Sequence, residues 1–343
     1  MIPNMIINTS DGIYVCGDNR YGQLCLGHNK VVTSLTKLDF IYDVYSMSKG
    51  LYHSIIITSD GVYVCGTNVH GQLGLGHNCG VFLPTKLNFC HEIYSVVCNN
   101  DSTYFNTSDG VYACGFNYYG QLGSGDYKNK KHITKMKLDH EVYSISCGRS
   151  FVVLNTSDGV YACGNERYFE TNFDPEYDDI EDGINEPIKI NFHHDIYSIV
   201  CGEEHTIFNT SDGLYVIGSN KRYQLGLKNI KHFCKMTKLD FDHEIYSITC
   251  GSFHSFLTTS DGIYAFGDNT LNQITSDGQE FEIPKKVDIG IDITGIICSS
   301  YHTYYITKDD LYTTNPKVKF NFKHKIFVNN ISNKRFKTTK SAR

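Results

Sequence analysis

"NTSDGVYACG" occupies residues 106–115 and returns letter for letter at 155–164. Its Thr-Ser-Asp-Gly element begins at Thr9, Thr58, Thr107, Thr156, Thr210 and Thr259, and a worn form, "TKDD", begins at Thr307. The spacings are 49, 49, 49, 54, 49 and 48 residues. A fixed period of this size marks a repeat architecture. Seven copies fill the 343 residues and leave no room for a second domain.

Each copy has a physical reading. In "HSIIITSDGVYVCG" (53–66) a β-branched run meets Asp-Gly, and a second run follows. Asp-Gly between two such runs predicts a hairpin, because Gly accepts the positive φ of a tight turn. "PTKL" (84–87) and "EIYSVVC" (92–98) are two further short strands. Four strands per copy, with no helical periodicity, describe one propeller blade. The repeated string is expected to be the outer hairpin of that blade.

Kelch repeats rely on paired glycines and a Trp, and WD repeats on Trp-Asp; this chain has no Gly-Gly pair and no Trp. It has instead "GDNRYGQLCLG" (17–27), "GTNVHGQLGLG" (66–76) and "GFNYYGQLGSG" (115–125), with weaker forms at 218–228 and 267–275. Together with "CGEEHT" (201–206) and "CGSFHS" (250–255), these strings resemble the RCC1 repeat, named for the regulator of chromosome condensation. The resemblance covers nearly the whole chain and implies an all-β, seven-bladed β-propeller with four short strands per blade. The first copy has no "IYSVVC"-type strand before its hairpin, whereas "KVKFNFKHKIFVNN" (317–330) offers strands beyond the last one. Phe327 falls where Tyr45, Tyr94, Tyr143, Tyr197 and Tyr246 stand in other copies. The N- and C-terminal strands are therefore expected to share a blade and close the ring. Residues 1–330 read as one propeller and 331–343 as a basic tail.

Hydrophobic residues make up 41% of the chain, enough for a sizeable core, and the net charge is −6 with a pI near 6.2. That balance gives no general attraction to nucleic acid or an anionic membrane. No run of 18 apolar residues exists, and "MIPNMIINTSDG" lacks a signal pattern. The expectation is an intracellular monomer, cytoplasmic or nuclear, not secreted and not membrane-bound. Frequent Asn, Ile, Lys and Tyr suggest an A+T-rich genome, such as that of a protist or a large DNA virus, in which case the location is the host cell. Nine of the thirteen cysteines fall at two repeat positions in different blades, the others are scattered, and no Cys-x-x-Cys pair exists, so all are expected to be free core thiols and none to bind metal. In the RCC1 consensus the Cys16, Cys65, Cys114 and Cys163 position usually holds Trp. The sequons at Asn8, Asn106, Asn155 and Asn209 read as turn chemistry. Tyr14 and its six counterparts through Tyr312 read as packing between blades.

Three features compete for a functional role. The position four after the strand-end Cys reads His53, His205, His254 and His302, and propeller symmetry would place these on a ring at one end with Asp101, Glu203 and Glu204. The RCC1 resemblance makes this His part of the repeat signature, a turn support, and partner contact is the second reading. The fourth copy loses Gly-Gln-Leu-Gly and gains five residues, reading "NERYFETNFDPEYDDIEDGINEP" (165–187) with nine acids and one base, Arg167. A solvated insertion is the plain reading; the other is a recognition loop for a basic partner, centred on Asp174, Glu176, Asp178, Asp179, Glu181 and Asp182. From Leu311 onward there are nine Lys or Arg and no acid. Lys334, Arg335, Lys337, Lys340 and Arg343 form either a solubilising end or a nuclear-import or phosphate-binding tail. No catalytic, metal or cofactor motif is present, so no catalytic residue and no cofactor is assigned.

Two function classes stand. The resemblance implies guanine-nucleotide exchange on a Ran-like small GTPase, which needs selective binding of the nucleotide-free partner rather than bond-making groups; the 165–187 loop is the one sizeable candidate for the wedge that such a factor uses. The other class, favoured by a narrow margin, is a non-enzymatic interaction platform that binds a protein such as a GTPase or histones, with weak nucleic-acid contact through the tail. A third role of RCC1-like propellers, UV-B sensing through clustered tryptophans, is excluded by the absence of Trp.

Overall fold

The computed structural model describes residues 5–9, 12–169, 183–229, 233–308, 310–314 and 319–321. Its strands form six sheets of four and one of three, the seven blades of an all-β propeller. The second blade shows the pattern: Val44–Lys49, His53–Thr58, Gly61–Gly66 and Val81–Lys86 pair in chain order, each antiparallel to the next. The Thr-Ser-Asp-Gly turn therefore joins the two middle strands, which corrects its expected place as the outer hairpin. Two compact units share the chain, one of residues 5–145 and 183–187, the other of 146–169 and 188–321. In the first, Val44–Lys49 lies beside Ile93–Cys98; in the second, Ile196–Cys201 lies beside Ile245–Cys250.

The middle strands carry the core. Every residue of His53–Thr58 and of Ser102–Thr107 is buried, as expected where a blade is covered on both faces. Ile55, Ile57, Val64, Leu73, Ile93 and Phe105 form one cluster in the first unit. Phe256, Leu257, Phe266 and Leu225 form another in the second.

The turn between these strands is built from its own letters. Thr107 Oγ1 donates to the Gly110 carbonyl at 2.6 Å, and the Tyr112 hydroxyl donates to Asp109 at 2.8 Å. Gly110 has φ of +126°, and a Cβ there would lie 2.9 Å from Cε of Lys135, whose chain passes over the turn. In the second blade the matching Lys86 ammonium reaches Asp60 at 2.8 Å. The repeat thus needs Gly for its backbone angle. Tyr112 also packs edge-on against Phe89, and Tyr215 and Tyr264 repeat this against Phe192 and Phe241, so the repeated tyrosine does serve packing.

Lys319–Asn321 is the outer strand of the seventh blade. The first blade shows three strands, Met5–Thr9, Gly12–Gly17 and Val32–Lys37; Phe327 and the strand expected to complete that blade lie outside the described residues.

Candidate partner-binding surface

Alternating strand direction puts two loops of each blade at one end: the loop from the first strand to the second, and the loop from the third to the fourth. The repeated histidine begins the second strand there. His53, His205 and His254 have no exposed surface. Each bridges to the following blade through Nε2: to Thr103 Oγ1 at 2.9 Å, Ser255 Oγ at 2.9 Å and Thr303 Oγ1 at 3.0 Å. Burial disfavours the imidazolium and pushes their pKa values down to about 3, 3 and 4. They are neutral struts, the structural role read first for this position, and they offer a partner no surface. His302 is half-buried and its pKa is lowered, chiefly by that burial. Asp101 is half-buried and accepts from Gln72 Nε2 at 3.3 Å. The acidic candidates Asp174, Glu176, Asp178, Asp179, Glu181 and Asp182, and the tail residues Lys334, Arg335, Lys337, Lys340 and Arg343, lie outside the described residues.

The longer loop is a scaffold with variable tips. In the third blade Asn117 Oδ1 accepts from Leu122 N at 2.8 Å, while its Nδ2 donates to the Asp126 carbonyl at 2.7 Å. Gln121 Oε1 accepts from Tyr119 N at 3.1 Å. Asn19, Asn68, Asn220 and Asn269 accept in the same way, at 2.8 to 2.9 Å, from the backbone N of Leu24, Leu73, Leu225 and Ile274. Between Asn and the turn stand two residues whose side chains take no part in these Asn and Gln bonds: Arg20-Tyr21, Val69-His70, Tyr118-Tyr119, Lys221-Arg222 and Thr270-Leu271.

Apolar surface meets solvent at these tips, as it also does at Ile41, Leu83, Tyr197 and Tyr246. In the first unit Tyr21 is 43% exposed, Val69 60% and Tyr118 58%. Tyr21 leans on Tyr52 with ring centroids 4.6 Å apart; His70 meets Phe116 at 5.0 Å, and Phe116 stacks on Tyr118 at 6.4 Å. Arg20 chelates Asp18 at 2.8 to 3.1 Å, and these hydrogen bonds hold the Asp18 carboxyl below its usual range. Lys49 replaces the strand-end Cys of other copies; burial pulls its pKa down to about 8, against the opposing charge of Asp18. In the second unit Arg222 pairs with Asp268 at 3.4 Å and lies over the Phe253 ring, Ser252 donates to Glu203 at 2.8 Å, and Leu271 and Tyr301 are exposed. Sequence reading passed over these tips because they sit inside the signature string; the signal was their variation between copies.

The fourth blade departs from this plan at a definite atom. Asn165 N donates to the Ser150 carbonyl at 2.9 Å, as Phe116 N does to Asp101. A single 3₁₀ turn, Glu166–Tyr168, then delivers Phe169 into the core, fully buried beside Phe151. Residues 170–182 of the acidic stretch lie outside the described residues.

Cysteine chemistry also needs correction. Cys25 and Cys65 are joined as a disulfide with Cα atoms 5.6 Å apart, so the thirteen thiols are not all free. Among the described residues ten other cysteines are in no disulfide, Cys79 and Cys90 among them exposed. Burial pushes Cys98, Cys201 and Cys298 up to about 12, 11 and 12. Among the described residues no group of three or more His, Cys, Asp or Glu could hold a metal, and no helix is long and apolar enough to cross a membrane.

Sequence-family comparison then decides the assignment. Models of the regulator of chromosome condensation (RCC1) repeat match residues 59–105, 108–154 and 211–258, and a second form of the same repeat matches 44–72 and 245–273. Together they span half of the chain. The chain belongs to the RCC1 repeat family. Among solved structures, yeast RCC1 (Prp20) bound to Kap60 is 19% identical, with a TM-score of 0.76, over 91% of this chain and 80% of its own. Prp20p from Saccharomyces cerevisiae, characterised for binding to Gsp1p and histones, is 20% identical, TM-score 0.76, over 90% and 82%. Human WBSCR16 is 20% identical, TM-score 0.73, over 85% and 80%. At such identities the likeness is one of fold. No curated protein sequence matches the chain.

Proposed function

We propose that this RCC1-repeat protein is a non-enzymatic protein-binding platform, and that the aromatic loop tips of its first unit form the contact surface. The observation that carries this reading is the exposure of Tyr21, Val69 and Tyr118 on turns whose Asn and Gln supports do not depend on them. Exposed aromatic and apolar side chains on a rigid scaffold are what interface hot spots use. The yeast relative's binding to Gsp1p and histones makes a Ran-like GTPase and histones the partners to try first.

The test is titration of both partners, by surface plasmon resonance, against the protein and a Tyr21→Ala, Val69→Ser, Tyr118→Ala variant. Loss of about 2 kcal/mol or more of binding, with melting unchanged, supports the surface. Equal affinity removes it. Neutralising Asp174, Glu176, Asp178, Asp179, Glu181 and Asp182 to Asn or Gln tests the acidic insertion: slower association with flatter salt dependence would make it a second contact. The alternative reading is exchange activity, favoured by family membership; release of a fluorescent guanine nucleotide from the GTPase, accelerated by orders of magnitude, would establish it. The tail is proposed to add weak nucleic-acid affinity at low salt, which removal of 331–343 should abolish.

A further inference from the structure

The Cys25–Cys65 disulfide spans two blades and lands on a loop of the proposed contact surface. Cys25 stands in "GQLCLG" where the next two copies have "GQLGLG" and "GQLGSG". Its φ is +60°, matching +67° at Gly74, +61° at Gly123 and +69° at Gly226. The turn geometry is therefore unchanged, and a side chain has been placed where the second, third and fifth copies carry none.

Its direction follows from the neighbouring copy. A Cβ built on Gly74 would stand 3.3 Å from Sγ of Cys114, the cysteine of the next blade. The first and second blades repeat this relation, so a cysteine at position 25 is aimed at Cys65. Both residues are shielded, Cys25 at 3% and Cys65 at 0% exposure. The reduced state has a partner waiting too. Cys114 Sγ donates to the Gln72 carbonyl at 3.4 Å, and Cys65 Sγ lies 3.8 Å from the matching Gln23 carbonyl. The site thus accommodates two arrangements, a covalent bond between blades or a thiol bonded to the loop carbonyl.

We propose that Cys25 and Cys65 form a redox-controlled clamp on the loop that presents Arg20 and Tyr21. Two thiols each lose a hydrogen and one electron pair passes to a small-molecule disulfide, which leaves as two thiols while the Cys25–Cys65 bond forms; a thiol reductant reverses the exchange. Closed, the clamp ties the tip to the second blade beside Tyr52, the residue Tyr21 leans on. Open, the loop keeps the Asn19 and Gln23 bonds that four other copies share, and Cys25 keeps a left-handed backbone that three of them give to Gly. The consequence for partner binding rests on the platform reading; the clamp itself does not.

The experiment uses the full chain, purified without reductant, and a Cys25→Gly variant that restores the repeat. After the exposed Cys79 thiol is blocked, tryptic digestion should yield residues 21–30 joined to 50–86, and prior reduction should separate them. Hydrogen exchange of the 19–27 amides should speed up about 10-fold on reduction of the wild-type protein and not respond to reductant in Cys25→Gly. Absence of the linked peptide, or equal exchange in both redox states, overturns the clamp. Neither readout involves a partner, so failed GTPase and histone titrations would remove the platform and leave the clamp standing.

Discussion

Replacing His254 with Gln should reverse the sign of a stability difference between pH 7.5 and pH 5.0. His254 is fully buried, its pKa lies near 4, and its Nε2 meets Thr303 Oγ1 at 3.0 Å. In the unfolded chain the same imidazole titrates near 6.5. Above that value both states are neutral and titration contributes nothing. As pH falls below it the unfolded chain takes a proton that the folded chain refuses, so stability is lost, and the loss continues until the folded value near 4 is reached. At pH 5.0 the gap of about 1.5 units is worth about 2 kcal/mol. His53 and His205, equally buried with pKa values near 3, add similar amounts, so the three together cost about 6 kcal/mol, comparable to the stability of a domain. Gln keeps a side-chain amide nitrogen that can still reach Thr303 and removes the titration. At pH 7.5 the variant should be less stable by about 1–2 kcal/mol through poorer packing. At pH 5.0 the deficit should shrink by about 2 kcal/mol and close or reverse. Urea unfolding at the two pH values measures both numbers. An equal deficit at both would refute the neutral-strut assignment.

Gly110→Ala should cost about 1–2 kcal/mol, because φ of +126° opposes any Cβ there, while the flexible end of Lys135, 2.9 Å from the new Cβ, can move aside. Gly290→Ala, with φ of +69° and nothing within 4 Å, should cost less, and equal losses in urea unfolding would remove the role given to the +126° backbone. In the native protein at pH 8, a thiol reagent should label Cys79 and Cys90 rapidly. Cys98, Cys201 and Cys298, pushed up to about 12, 11 and 12, should react only as fast as the chain opens, and prompt labelling there would contradict their burial.

The blade count was legible because the Thr-Ser-Asp-Gly spacing is a direct copy number. Asp-Gly announces a turn but not which strand pairs outside it, and so the hairpin was placed at the rim rather than the centre of the sheet. The histidines were recognised as one repeated position, yet repetition at a strand start does not distinguish a solvent ring from a buried strut. What decides it is a hydroxyl on the following blade: Thr103, Ser255 and Thr303 stand 49 or 50 residues after their histidines. That pairing was visible in the sequence only to a reader who already knew that one period separates touching strands. The disulfide was hidden for a related reason. Cysteines at equivalent positions cannot meet, but Cys25 is not at an equivalent position: it replaces a glycine, and 40 residues on lies the sulfur that glycine faces.

The loop tips show why recognition can vary without a folding penalty. Asn117 and its counterparts close the turn with side-chain hydrogen bonds to the backbone, and the following Gln side chain accepts from the backbone N of the second tip residue. Each of those bonds engages a main-chain N–H, which every residue type except Pro supplies. Tyr118, Val69 and Thr270 can therefore exchange in the same slot with the turn intact, as the copies themselves demonstrate. The buried half of the loop behaves oppositely. Leu73, Leu122 and Leu225 enter the core after the turn, and where the fourth blade drops Gly-Gln-Leu-Gly it buries Phe169. Packing constrains one half of the loop and the backbone bonds free the other, so the sequence that specifies the fold and the sequence available for binding occupy adjoining stretches of one turn.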